Sequence, residues 1–155
     1  MKFDYQFTVP VVRQTLWAML QDFPRIASCI PGVEQVQQAD DGSYQGSIRV
    51  TIGPMGVNLA GSVKVEQDEA QGRWRMTAQA QDRRVGGGAR AIIEATLSEA
   101  DAGQTAMRIA ADVQFMGRLG ELGQPLIKRK ADAIFQEFAE NLKRLATTNA
   151  PHPST

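Results

Sequence analysis

Histidine and cysteine are almost missing from this chain. His152 is the only histidine among 155 residues, and Cys29 is the only cysteine. A lone thiol forms no intramolecular disulfide, and the pair cannot build a cysteine-rich or histidine zinc site. A Ser/His/Asp relay needs a histidine inside the fold, and His152 sits in the terminal tail. An excess of charge of one sign is also missing, since 17 Lys+Arg face 17 Asp+Glu. That balance argues against bulk nucleic-acid binding, which rests on a basic excess. No run approaches the ~18 apolar residues of a membrane span. The opening Met1-Lys2-Phe3-Asp4-Tyr5 carries no apolar signal core.

Apolar residues, by contrast, make up 43% of the chain, enough at this length for one domain with a core that needs no metal or disulfide. Phe3, Tyr5, Phe7 and Val9 alternate with polar residues, as in a half-buried strand. Thr8-Val9-Pro10 reads as a helix start with Pro10 in the first turn, followed by an apolar face of Val12, Leu16, Met19 and Leu20. A second short helix is expected over 24–29, stopped by Pro31-Gly32. A short strand near Val33 and Val36 precedes five long runs of period two. Their inward positions begin Tyr44-x-Gly46, Val57-x-Leu59, Trp74-x-Met76, Ala89-x-Ala91 and Met107-x-Ile109.

The last third changes period. Leu119, Leu122, Leu126, Ile127, Ala131, Ile134, Phe135, Phe138, Leu142 and Leu145 recur at helical steps. They predict a helix of roughly 28 residues, about 42 Å long. Pro125 is placed one to two turns inside it, to kink it or reset its start. The expectation is therefore an α+β helix-grip: a curved antiparallel sheet of about seven strands wrapped around a long C-terminal helix, with two short helices after the first strand. One domain covers 1–146, and the tail 147–155 is expected to be disordered.

Two kinds of turn alternate along the strands. Asp40-Asp41-Gly42, Asp68 to Gly72 and Glu99 to Gly103 are acidic. Gly53-Pro54-Met55-Gly56, Arg83 to Gly88 and Gly117-Arg118 are glycine-rich and neutral or basic. In an antiparallel meander alternate turns share an end, so the sheet has an acidic end and a flexible end. The flexible end is the expected cavity mouth, lined by Pro31, Gly53, Met55, Arg83, Arg84, Gly87 and Arg118. Of 24 inward positions on the five long strands, eight are Gly or Ala, and the missing volume predicts a hollow unless the long helix fills it. Trp74, Met76, Ile93, Met107, Ile109, Phe115, Leu122 and Leu126 are the expected lining of an apolar ligand site.

Catalytic equipment is sparse, and no catalytic or metal residue is assigned. Glu94 and Asp112 have outward parity, Glu137 and Glu140 flank the apolar stripe of the last helix, and Gly86-Gly87-Gly88 opens no helix that would cradle phosphate. Tyr5 and Tyr44 are the only inward hydroxyl-bearing aromatics, and an enzyme would need a carboxylate beside one of them.

Three segments carry a resemblance to a known family: VPVVRQTLWAMLQDFPRIASCIPG from Val9, DGSYQGSIRVTIGPMGVNLAGSV from Asp41, and GRLGELGQPLIKRKADAIFQEFAENL from Gly117. The chain resembles the CoxG family of carbon monoxide dehydrogenase subunits, within the START/Bet v 1-like (SRPBCC) superfamily. The resemblance implies a helix-grip fold with an apolar cavity and an accessory, non-enzymatic role beside a molybdenum hydroxylase of the carbon monoxide dehydrogenase type. It implies recruitment or maturation of that enzyme at the membrane, or carriage of a quinone or other lipophilic ligand, with no covalently bound cofactor. Many members carry a C-terminal linker and apolar anchor that this sequence lacks as far as Thr155. The expectation is thus a cytoplasmic protein, at most peripherally associated with the inner face of the cytoplasmic membrane. The alternatives are a helix-grip enzyme of cyclase or dehydratase type and a pure docking module with a filled core.

Overall fold

The computed structural model describes residues 1–149, with side chains through Thr148. Strand β1 (Lys2–Val9) is followed by helices α1 (Arg13–Leu20) and α2 (Phe23–Ala27), then by β2 (Val33–Gln38), β3 (Tyr44–Ile52), β4 (Met55–Asp68), β5 (Arg73–Asp82), β6 (Gly87–Glu99) and β7 (Thr105–Gly117). A 3-10 turn at Gly120–Leu122 leads into helix α3 (Gln124–Asn149). The seven strands form one antiparallel sheet in the order β1-β7-β6-β5-β4-β3-β2. Helix α3 touches β1 at one edge of the sheet and β3 beside the other. A flat seven-stranded sheet would be about 29 Å wide, so a single helix reaches both sides only because the sheet curls around it.

Pro10 is not in a helix. Val9 is still paired in β1, opposite Thr105, and α1 begins three residues after Pro10. Val12 is half exposed just before the helix, while Leu16, Met19 and Leu20 are buried as expected. Helix α2 starts one residue before Pro24, which takes a first-turn position, and the Asp22 carboxylate accepts from the Arg25 N–H at 3.4 Å.

Pro125 is the second residue of α3, not a residue one to two turns inside it. Gly123, at φ 89°, separates the 3-10 turn from the helix. The proline thus sits where its missing N–H costs nothing and α3 needs no kink. At its other end α3 continues through Thr147 and Thr148, whose hydroxyls donate to the Lys143 and Arg144 carbonyls. The expected tail therefore starts too early, and 150–155 lie outside the described residues.

Helices α1 and α2 close the acidic end of the sheet. The buried Thr105 hydroxyl donates to the Val11 carbonyl at 2.7 Å, and Arg13 donates to the Glu69 carbonyl at 3.4 Å. The end of α3 docks there through Phe138, Leu142 and Ala146, and the Asn141 amide donates to the Cys29 carbonyl at 2.9 Å. One irregularity lies at the edge. Between Glu34 and Gln37 the β2–β3 register shifts, with Gln35 at φ 55°.

Candidate functional site

Antiparallel register aligns the small inward residues across the sheet. Gly46, Gly61, Ala80 and Ala89 follow one another as ladder partners on β3, β4, β5 and β6, and Ala89 faces Phe115 on β7. The neighbouring row runs Tyr44, Val63, Ala78, Ala91 and Val113. Small residues scattered in sequence thus become one thin-walled belt across the inner face.

Most of the buried core falls into two clusters on either side of that belt, with Phe3, Ile127 and Ala139 buried outside both. The larger cluster fills the acidic end, where Leu16, Leu20, Phe23 and Ile26 meet Trp74, Ala95, Leu97, Met107, Phe138 and Leu142. The smaller one, Ile52, Val57 and Leu119, closes the glycine-rich end, supported by Met55, Val85, Phe115, Leu122 and Leu126. Between them Ile48, Ala78, Ala91, Ile93 and Val113 of the sheet and Ile134 of α3 remain part-exposed and join neither cluster. These are apolar side chains with strand or helix parity toward the interior. A solid interior would bury them.

The eight expected lining residues fall into three groups. Trp74 and Met107 are buried in the larger cluster, with Met76 and Ile109 packed on it. Phe115, Leu122 and Leu126 pack on the smaller cluster. Ile93 lies in the zone between.

Six of the seven expected mouth residues, all but Pro31, gather at the glycine-rich end, but around a packed plug: Val57 and Leu119 are each 1% exposed. Met55 supports this plug. A Cβ on Gly53 would come within 2.9 Å of Leu126, and one on Gly87 within 3.0 Å of the Leu119 nitrogen. Pro31 lies short of this end, since the adjoining Gly32 carbonyl accepts from the Arg49 N–H in the middle of β3. Arg83 and Arg118 are exposed. Arg84 is engaged, donating to the Gly56 carbonyl at 2.9 Å and lying 3.7 Å from Asp82.

Asp82 has no counterpart among the sequence expectations. It has inward parity at the end of β5 and is buried, yet its carboxylate accepts from the N–H groups of Asn58 (2.8 Å), Arg84 (3.0 Å) and Val85 (3.4 Å). Those bonds, Asn58 first, hold its pKa below the ordinary carboxylate value. Its job is to pin the β5–β6 turn to β4. The sequence signal was present, because an Asp before a glycine-rich turn caps backbone donors in this way.

A second polar group joins β1 to α3. The Tyr5 hydroxyl donates to Asp132 at 2.6 Å, and Lys128 holds the same carboxylate at 2.8 and 3.0 Å. The Tyr5 ring stacks on Phe135 with centroids 4.0 Å apart. Burial first, then the bond to Asp132, push the phenol well above its ordinary pKa, so it stays protonated. Tyr44 instead packs on Phe23, and among the described residues no hydrogen bond joins it to a carboxylate. Cys29 is buried, and burial raises its thiol pKa. Among the described residues no cluster of His, Cys, Asp or Glu is fit to hold a metal ion.

A groove of about 1110 Å³ is lined mainly by residues of outward parity such as Gln37, Gln45, Ser47, Ser62, Gln79 and Arg90, and it also touches Gly46, Gly61, Ala80 and Ala89 of the belt. Its polar outward side chains make it a wetted surface and not the apolar interior that the inward rows define.

A curled seven-stranded sheet gripping one long helix, with two short helices closing one end, defines the START/Bet v 1-like helix-grip class. Solved structures share it. A conserved protein from Geobacillus kaustophilus is similar at TM-score 0.85 and 12% identity, covering 96% of each chain. The Zhui aromatase/cyclase from Streptomyces sp. R1128 is similar at 0.63 and 15%, covering 94% of this chain and 95% of that one. A START superfamily protein from Mycobacterium smegmatis is similar at 0.62 and 13%, covering 96% and 99%. Identities this low establish the fold alone. No curated protein sequence matches the chain. Within the class, residues 6–147 match the family of CoxG, a carbon monoxide dehydrogenase subunit, and the chain belongs to that family.

Proposed function

We propose that this chain is a non-enzymatic accessory protein of a molybdenum hydroxylase of the carbon monoxide dehydrogenase type. It holds a lipophilic molecule of the quinone class between sheet and α3 and serves the enzyme at the cytoplasmic face of the membrane. One observation carries the reading: most of the buried core lies in two packed ends with part-exposed apolar side chains between them. The family description, which names a component of a redox enzyme, supports the partner. Among the described residues no helix is long and apolar enough to cross a membrane.

Affinity would come from removing apolar ligand surface from water. Burying roughly 300 Å² at ~25 cal/mol per Å² gives about 7.5 kcal/mol before the ligand's lost freedom is subtracted, the scale of a micromolar complex at best. Entry requires the plug of Ile52, Val57 and Leu119 or a seam beside α3 to open. The cyclase-type alternative has less support, because among the described residues no carboxylate is hydrogen-bonded to Tyr44, and Tyr5 is already committed to Asp132 and stays protonated.

The test is direct. Purified protein is extracted with organic solvent for mass spectrometry, and stripped protein is titrated with a short-chain ubiquinone and a menaquinone analogue. The reading expects a co-purifying lipophile and saturable quenching of tryptophan fluorescence. An empty extract together with unchanged fluorescence refutes it.

A further inference from the structure

Helix α3 is fastened unequally along its two flanks. One flank carries Lys128, Asp132 and Phe135 at helical steps and is tied to β1 in the middle of the helix. There the Tyr5 hydroxyl donates to Asp132 at 2.6 Å, the Tyr5 ring stacks on Phe135, and Phe7 meets Phe135 edge-on. The other flank carries Leu126, Lys130, Ile134, Glu137 and Asn141, again three or four residues apart. It is held at its ends. A Cβ on Gly53 would come within 2.9 Å of Leu126, and the Asn141 amide donates to the Cys29 carbonyl at 2.9 Å. Roughly 22 Å of helix lies between these two fixings, at ~1.5 Å per residue.

That span borders an open seam. Ile134 on α3 and Ile48 in the middle of β3, the strand that α3 reaches on this side, are part-exposed and join neither packed cluster. Lys130 stands one turn before Ile134. It is part-buried where its neighbour Arg129 is exposed, yet among the described residues its ammonium has no hydrogen bond or ion pair. Lys128, by contrast, is held by Asp132. The one carboxylate on the Lys130 flank, Glu137, is exposed and two turns further on, about 10 Å along the axis. A lysine lays its stem along apolar surface and keeps its charge at the water edge. The Lys130 ammonium thus marks the rim of the seam as an uncommitted donor of three hydrogen bonds.

We propose that Lys130 is the head-group site of the interior cavity, where the bound molecule reaches the surface between α3 and β3. The inference rests on the carrier reading above and adds a ligand class: an amphiphile with its apolar body in the hollow and an anionic, oxygen-bearing head on the Lys130 ammonium. An ionised hydroxyquinone has this form. A neutral quinone gains little from Lys130.

Two quinones of one skeleton provide the test: a 2-hydroxy-3-alkyl-1,4-naphthoquinone, ionised at neutral pH, and the matching neutral 2-alkyl-1,4-naphthoquinone. Each is titrated into wild type, Lys130→Gln and Arg129→Gln, the last removing the same charge from the exposed neighbour. The anionic quinone is expected to lose roughly 10-fold in affinity on Lys130→Gln, the scale of one hydrogen bond to a charged group. It is expected to hold its affinity on Arg129→Gln, and the neutral quinone on both. In ¹⁵N-labelled wild type the two bound spectra are expected to differ most at the amides around Lys130; this readout stands without any substitution. Equal losses for both quinones on Lys130→Gln, no loss for the anionic one, an equal loss on Arg129→Gln, or spectra that differ elsewhere overturn the head-group site and leave the carrier reading standing. Failure of both quinones to bind wild type overturns both.

Discussion

Tyr5 illustrates how much and how little a single residue gives away. Its alternation with Lys2, Asp4 and Gln6 announces an inward side chain, and the structure agrees. Its partner does not announce itself, because Asp132 lies 127 positions further on and no local pattern links the two. The Tyr5 bond has a pH signature. In the unfolded chain the phenol loses its proton near pH 10, about its unperturbed value; in the fold it keeps the proton to higher pH. The resulting stability is fully present below about pH 10 and is lost as pH rises above it. Tyr5→Phe is expected to cost about 0.5–1.5 kcal/mol at pH 7, the net worth of one hydrogen bond. The gap to wild type should shrink as pH climbs beyond about 10, read from urea midpoints at each pH. A gap that stays constant with pH would separate the bond from the titration.

At the scale of elements, period two in the sequence named every long strand, and the three- and four-residue steps named α3. What misled was punctuation by proline. Thr8-Val9-Pro10 has the form of a helix start, but Val9 finds a ladder partner in Thr105, and strand pairing overrides the local signal. Pro125 lay inside an unbroken apolar stripe, yet Gly123 resets the chain just ahead of it, so the 3-10 turn and α3 share a face without sharing a helix. Glycines inside strands carried information of another kind. A Cβ on Gly61 would run into the Gln79 carbonyl oxygen and the Ala80 side chain, so β4 and β5 approach closely where the sheet curls. Gly61→Ala is expected to destabilise by about 1–3 kcal/mol or more, since the obstacle is backbone and cannot rotate away. Thermal melts compared with Gly56→Ala, where a Cβ meets nothing within 4 Å, provide the control.

For the whole molecule, the count of small inward residues pointed to missing volume, but only register could show that they fall in adjacent rows. Nor did the sequence foretell the plug: Ile52, Val57 and Leu119 come from three separate segments, and each reads alone as ordinary strand or helix apolarity. The state of the interior has a simple thermodynamic test at Ala91, which sits between Ala78 and Val113 in the belt. Leucine there adds three carbons. In open space they add up to about 2 kcal/mol of stability at ~0.8 kcal/mol per buried CH₂; in a filled core they cost about 1–3 kcal/mol through overpacking. Ala91→Leu is expected to raise the urea midpoint of ligand-stripped protein while weakening quinone binding, and a lowered midpoint would speak for a solid core. The two outermost strands carry a separate consequence. A sheet whose ends do not meet in a barrel offers free backbone to any neighbour that can add a strand. Here β2 is short and broken by the Gln35 irregularity, and β1 turns Lys2 and Asp4 outward. Neither border presents a long, flat, greasy template, so crowded copies of this protein should stay dispersed and resist fibril growth.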